Sequence, residues 1–330
     1  MNDLLIAIGT GILYIIVMGI IVAPNIGLFF SWIHRKLGAR MQWRVGPPIY
    51  QPWADVIKLL SKETIVPDTA HKTAFLLAPP LAVASSILAS LIMPFVVFSR
   101  FNFVGDVIVV IYLMAMPAIA AMIGGSASGN PYASIGVQRE MTLIFSYELP
   151  FIMASLVPIL KSRSLLFSEI IEHQLRYGPH IFSISGVLAF IVCIMVMQAK
   201  LALTPFDIPE AKTEIVAGPY TEYSGASLAL FKLAHAIMLF VVPCYIANMF
   251  LGGLVITNLY DPAAVAIDAV LIVVKLLVLI LIATFIRFFN PRIRPDQAFG
   301  MFWKTVTILA IIALVLALIG LSYPPLMPYL

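Results

Sequence analysis

Apolar stretches of about 20 residues recur along the whole of this 330-residue chain, and each can cross a hydrocarbon layer about 30 Å thick. Such stretches exclude a soluble globule, because 62% of the residues are hydrophobic and 11% are charged, where soluble domains carry roughly 25% charge. Read for apolar length, the chain offers spans at Leu4–Phe30, Ala74–Phe98, Asp106–Ile123, Met141–Leu160, Ile181–Leu203, Ser227–Leu251, Val265–Phe289 and Val306–Tyr323. Backbone groups in lipid must be satisfied within the segment, and these runs lack barrel alternation. The expected fold is therefore all-α, a polytopic membrane protein with about eight transmembrane helices. We expect a single membrane domain over 1–330, because no internal repeat, low-complexity tract or linker is visible. No basic region precedes the first span, so it reads as a retained span and not as a signal peptide.

Charge placement orients the bundle. Fourteen of the 20 Lys and Arg fall after the odd-numbered spans: Arg35, Lys36, Arg40, Arg44, Lys58, Lys62, Lys72, Arg139, Lys200, Lys212, Arg287, Arg292, Arg294 and Lys304. Arg100, Lys161, Arg163 and Arg176 fall on the other side, and Lys232 and Lys275 lie at membrane depth. The positive-inside rule then makes the long loops, 31–73 and 199–226, cytoplasmic and both termini external. Cys193 and Cys244 sit in apolar runs, where they fit packing and neither a disulfide framework nor a metal site. The formal charge of +4 comes without a basic stripe interleaved with aromatics, so nucleic-acid binding is not expected.

The first long loop carries Arg44-Val45-Gly46-Pro47-Pro48, a turn made rigid by its prolines. Beyond it Trp53, Val56, Ile57 and Leu60 recur at helical spacing, which predicts an amphipathic helix over Gln51–Glu63. That helix reads either as a surface element with snorkelling lysines or as a platform for a cytoplasmic partner. The second loop places Asp207, Glu210, Glu214 and Glu222 within sixteen residues. Asp207-Ile208-Pro209-Glu210 has the form of a capping box, which predicts a helix that would carry Glu210 and Glu214 on one face. Carboxylates crowded beside a membrane are candidates for a proton or cation path, and the plain alternative is a solvated acidic loop.

The membrane segments add ionisable groups of their own: Glu140 and Glu148, Lys232 and His235, Asp268 and Lys275. Each costs roughly 2.5–3.5 kcal/mol to insert, so each needs a partner, a wet cavity or a function. Asp268 and Lys275 lie two turns apart, too far for direct contact in a regular helix. Glu148 lies in Ser146-Tyr147-Glu148-Leu149-Pro150, where proline weakens the backbone ladder, and it is the best single candidate for a proton-carrying carboxylate. Lys232 and His235 read as a positive gate or as counter-charges to the acidic loop. No second ligand accompanies His235 at metal-binding spacing.

Several of these segments together resemble the subunit 1 family of respiratory complex I. They are Arg44–Pro48 with Gln51-Pro52, Ala54-Asp55 through Lys62-Glu63, Ser146–Pro150, Pro205–Glu210, Glu214–Gly218, Thr221–Gly225 and the stretch from Arg287 to Lys304. The resemblance implies a chain that clamps a redox arm to the membrane, holds no redox cofactor and contributes carboxylates to a coupling channel. It places Glu148, Asp207, Glu210, Glu214 and Glu222 in that channel. It sets Arg44, Gly46, Pro47, Pro48, Gln51, Asp55, Lys58 and Glu63 toward the peripheral arm. Glu140, Lys232, His235, Asp268 and Lys275 join the channel on the membrane argument alone.

The first loop is shorter than in the quinone-reducing members, and it resembles the branch of membrane-bound nickel–iron hydrogenases and archaeal sulfane reductases. That branch implies an iron–sulfur small subunit and a hydrogenase-like large subunit as partners, with iron–sulfur clusters and a nickel–iron centre held there. It also implies small membrane subunits, antiporter-like subunits and ferredoxin as electron donor. The rival readings are a quinone-site subunit, an independent secondary transporter and a passive anchor.

Overall fold

The computed structural model describes residues 14–93, 103–256 and 261–322, and these form helices joined by turns. A π-helical stretch, Ile15–Val22, leads into α1 (Ala23–Met41). The short α2 (Gln51–Leu60) follows in the first long loop, then α3 (Lys72–Ile92), α4 (Asp106–Ala127) and the 32-residue α5 (Pro131–Ser162). On the far side of the bundle come α6 (Phe167–Tyr177) and a single turn, His180–Phe182. The chain returns through α7 (Ile184–Lys200), passes a one-turn α8 (Lys212–Ile215) in the acidic loop, and re-enters as α9 (Gly225–Phe250) and α10 (Pro262–Phe289). It closes with α11 (Pro295–Met301), a π-helical link and α12 (Thr307–Ser322).

Among the described residues, seven of the eight expected spans are helices of 21 to 32 residues with the length and hydropathy to cross a membrane. The fifth, α7, has 17 residues and is about 25 Å long, because Ser183 caps its start and the chain turns at Leu201. Parts of the first, second and last expected spans, and Arg100, lie outside the described residues. Two elements extend further than apolar length suggested. Asn130 accepts a hydrogen bond from Tyr132 N, and with Pro131 in the first turn it starts α5 ten residues before Met141. Pro295 likewise opens a continuous helical run, so Pro295–Lys304 is not loop.

Beyond Lys232 and His235, which face the acidic loop, α9 has no polar face, and such a helix belongs at the centre of a bundle. Every residue from Ala236 to Phe250 is buried, and α9 packs on α1, α3 and α2. α10 keeps an outward row of Ile267, Val270, Leu271, Val274 and Val278, in keeping with a lipid-facing helix. Cys193 and Cys244 are buried free thiols in the main core. A smaller core, in which Phe75 and Tyr223 stack at 4.1 Å, lies beside the acidic loop.

Candidate functional site

The two long loops pack against each other and against the neighbouring ends of α1, α5 and α9. Gly46, at φ +71°, turns the first loop back onto α1, where Lys36 Nζ donates to Val45 O at 3.0 Å and Trp32 Nε1 to Pro47 O at 3.2 Å. The amphipathic helix ends at Leu60, three residues before Glu63. Trp53 Nε1 donates to Asn25 Oδ1 at 2.8 Å, and Ile65 N donates to Ser224 Oγ at 3.1 Å, which ties the first loop to the second. Arg44, Pro48, Lys58 and Glu63 are exposed, while Gly46, Pro47, Gln51 and Asp55 are half-buried.

The acidic loop is not a solvated one. Phe206, Ile208, Ala211, Ile215 and Tyr223 are all buried, and Phe206 packs on Phe302 at 4.9 Å. The expected capping box is absent: residues 203–211 run as turns, and Arg292 Nη2 donates to Asp207 Oδ2 at 2.7 Å. A short helix begins only at Lys212, so Glu210 and Glu214 do not share a helix face. The Gly218–Tyr220 turn sits in a notch between α4 and α5. A Cβ on Gly136 would lie 2.7 Å from both Gly218 Cα and Pro219 Cδ, and one on Gly125 would lie 3.1 Å from Pro219 Cα. Small residues on both helices therefore let the loop backbone come close enough to position Glu210 and Tyr220.

Between the loops lies a cavity of about 350 Å³ whose ionisable lining is Arg35, Asp55, Glu210, Lys232 and His235. A second, smaller space of about 50 Å³ lies further in and shares Glu210, Tyr220, Phe231 and His235 with it. That inner space adds Glu140 and Lys200. Lys200 Nζ in turn donates to Glu148 Oε2 at 2.8 Å, and the other carboxylate oxygen of Glu148 is buried with no hydrogen-bond partner. A line of ionisable side chains thus leads from Asp55 through Glu210 and Glu140 to Lys200 and Glu148.

The local electrostatics follow from these neighbours. Burial works against the Asp55 carboxylate, but hydrogen bonds from Arg35 at 2.7 Å and Gln51 at 2.9 Å outweigh it and hold the group below its ordinary range. Burial, followed by the charges of Glu210 and Glu140, pushes the Tyr220 phenol well above its ordinary range, so it stays a neutral donor.

Several expected residues fall elsewhere. Glu214 pairs with Arg139 at 2.5 Å, and Glu222 accepts from Asn130 Nδ2 at 2.5 Å at the edge of the loop. Asp268 and Lys275 are not brought to these cavities: Lys275 Nζ donates to Gly253 O at 2.8 Å at the far end of α9. Four predicted acids, Asp55, Glu148, Asp207 and Glu214, are each ion-paired, to Arg35, Lys200, Arg292 and Arg139. All four cations read as loop charges in the sequence, and the signal that was missed was pairing across the fold. Arg287, also read as a loop charge, reaches His34 within the bundle. Among the described residues no three His, Cys, Asp or Glu side chains gather as a metal-ligand group.

Comparison with known proteins agrees with this architecture. The profile of the NADH dehydrogenase family matches residues 13–318. The H subunit of the NADH-quinone oxidoreductase of Thermomicrobium roseum is 35% identical over 86% of this chain and 88% of its own length. That of Brevibacillus brevis is 33% identical over 96% and 95%. Among solved structures, a chain of the membrane-bound sulfane sulfur reductase, an archaeal respiratory membrane complex, superposes with a TM-score of 0.85 at 32% identity, covering 93% of this chain and 99% of that one. With the profile and the relatives spanning most of its length, the chain belongs to the NADH dehydrogenase subunit 1 family, that of the bacterial H subunits.

Proposed function

We propose that this chain is the membrane-anchor and coupling subunit of an energy-converting nickel–iron hydrogenase or a related sulfane reductase. It connects a peripheral redox arm to translocation of protons or sodium ions. The observation that carries this reading is the ionisable lining that leads from the inter-loop cavity, through Glu210 and His235, to Glu140 and to the Lys200–Glu148 pair. The likeness to a chain of the sulfane reductase supports the branch, and the short first loop agrees with it. On this reading the long loops are cytoplasmic, both termini are external, and Arg44, Lys58 and Glu63 face the peripheral subunits.

The mechanism follows from the geometry. Electrons stay in the partner subunits, whose iron–sulfur clusters and nickel–iron centre supply the redox chemistry and whose donor is ferredoxin. This chain supplies charge. A change at the peripheral arm moves the Asp55–Arg35 pair, which joins α2 to α1 and lines the cavity with Glu210, or the Asp207–Arg292 pair, three residues before Glu210 in the acidic loop. Glu210 and Glu140 share the inner cavity with the neutral phenol of Tyr220, so a proton or cation gained by one carboxylate is felt by the other. The antiporter-like and small membrane subunits receive that change.

A second reading, a quinone-site subunit, is favoured by the inter-loop cavity and by the relatives named as NADH-quinone oxidoreductase subunits. One preparation of the native complex separates the two. We expect reduced ferredoxin to drive hydrogen evolution or polysulfide reduction without quinone reduction. We also expect Glu140→Gln to abolish ion movement while electron flow continues. Quinone reduction alone, or full pumping in Glu140→Gln, overturns the proposal.

A further inference from the structure

The charged path is interrupted at one point, and a cation stands there. Glu140 and Glu148 are eight residues apart on α5, about 12 Å along the axis, so no proton passes directly between them. Lys200, the last residue of α7, occupies the interval. Its side chain is 1% exposed, it ion-pairs with Glu148 on one side, and on the other it lines the space that holds Glu140 and Glu210. The ammonium lies 5.1 Å from the centre of the Tyr147 ring and 4.5 Å from that of Phe151. Aromatic faces attract a cation without fixing its direction, and a lysine ammonium moves on a flexible four-carbon stem. The remaining titratable neighbours are Cys193 on α7, Tyr245 on α9 toward Glu148, and His235 and Tyr220 across the inner cavity.

We propose that Lys200 is the positioning residue that divides this path, holding Glu148 as a carboxylate at rest and swinging toward Glu140 and Glu210 when Glu148 takes up a proton. This rests on the coupling reading above and deepens it. Charge balance requires the movement. At rest the Lys200–Glu148 pair is neutral, and once Glu148 is protonated a bare ammonium is left in a buried site. The nearest relief is a carboxylate across the inner cavity. The Glu148 oxygen that lacks a partner is the atom open to receive the proton. In this scheme the ammonium keeps its own protons throughout and acts through charge.

The test compares Lys200→Met, Lys200→Arg and the Lys200→Met/Glu148→Gln double variant in the native complex, read by infrared spectroscopy and by ions moved per electron. We expect Lys200→Met to show the carbonyl band of a protonated carboxyl at neutral pH, absent from the double variant, and to lose ion movement while electron transfer persists. Lys200→Arg should show no such band and remain coupled. If Lys200→Met shows no new band, or if it and Lys200→Arg lose coupling alike, the proposal is overturned. Should Lys200→Met not assemble, the wild-type complex decides. On reduction it must gain a carboxyl band that the double variant lacks, and its absence overturns the idea. A wild-type complex that moves no ions sinks the coupling reading, whereas the resting-state band comparison still tests Lys200.

Discussion

Replacing Gly136 by alanine should dislodge the acidic loop. The added methyl would face Gly218 Cα at 2.7 Å, Pro219 Cδ at 2.7 Å and Gly218 C at 2.9 Å, where ordinary contact begins at 3.4 Å. The shortfall is therefore 0.5 to 0.7 Å against three atoms of backbone or proline ring, none of which can rotate away. Either α5 or the Gly218–Tyr220 turn has to shift, and overpacking of this kind costs about 1–3 kcal/mol. The turn is the weaker partner, so the displacement falls on Tyr220 and on the Glu210 wall of the cavity. Cys193 and Cys244 provide the assay, since both thiols are buried and react with a fluorogenic maleimide only as the bundle opens on heating. We expect Gly136→Ala to unfold at lower temperature and to lose ion movement more than electron transfer. Gly300→Ala is the control: nothing lies within 4 Å of its Cβ position, and inside the continuous helical run that starts at Pro295 alanine should add up to about 1 kcal/mol. A Gly136→Ala complex as stable and as well coupled as wild type would refute the notch as the device that positions the loop.

Glu148→Gln breaks the ion pair with the Lys200 ammonium, which then has only Glu140 and Glu210 across the inner cavity to turn to, and should cost less than the about 3–5 kcal/mol of a buried charge left wholly unpaired, with much of the loss recovered when Lys200→Met is added; thermal unfolding of the three variants checks this. Tyr223→Phe removes the hydrogen bond that Oη donates to Phe75 O at 3.0 Å and leaves a buried carbonyl unmet, for a loss of about 1–3 kcal/mol in the same assay with the ring stacking kept. His180, outside the spans, is lowered from 6.5 to about 3 by burial first and then by His173 and Lys161, so the folded protein holds it neutral. The unfolded chain takes up that proton first as pH falls, so this contribution to stability is whole above about 6.5 and is lost progressively toward about 3. His180→Gln should flatten that part of the pH profile, measured by tryptophan fluorescence on heating.

The sequence alone determined the elements that depend on composition along the chain. Apolar length and the absence of barrel alternation were enough for the helical membrane fold, and the pattern of Trp53, Val56, Ile57 and Leu60 was enough for α2. Glu140 and Glu148 stand out because charge in an apolar context is costly wherever it occurs, Glu210 because four carboxylates crowd one loop, and Asp55 only through the family resemblance. Ordered motifs such as Ser146–Pro150 and Pro205–Glu210 were enough to suggest the family. Local patterns misled where a distant group competed for the same side chain: Asp207 reads as a helix cap but is held by Arg292, 85 residues away in sequence. Only the tertiary structure decided which cation meets which acid. It alone set Lys200 inside the bundle, wedged the loop turn between Gly125 and Gly136, and left Asp268 and Lys275 away from the cavities. Spacing along one helix fixes which residues share a face, whereas pairing across a bundle depends on how closely helices and loops approach, and small residues such as Gly136 set that distance.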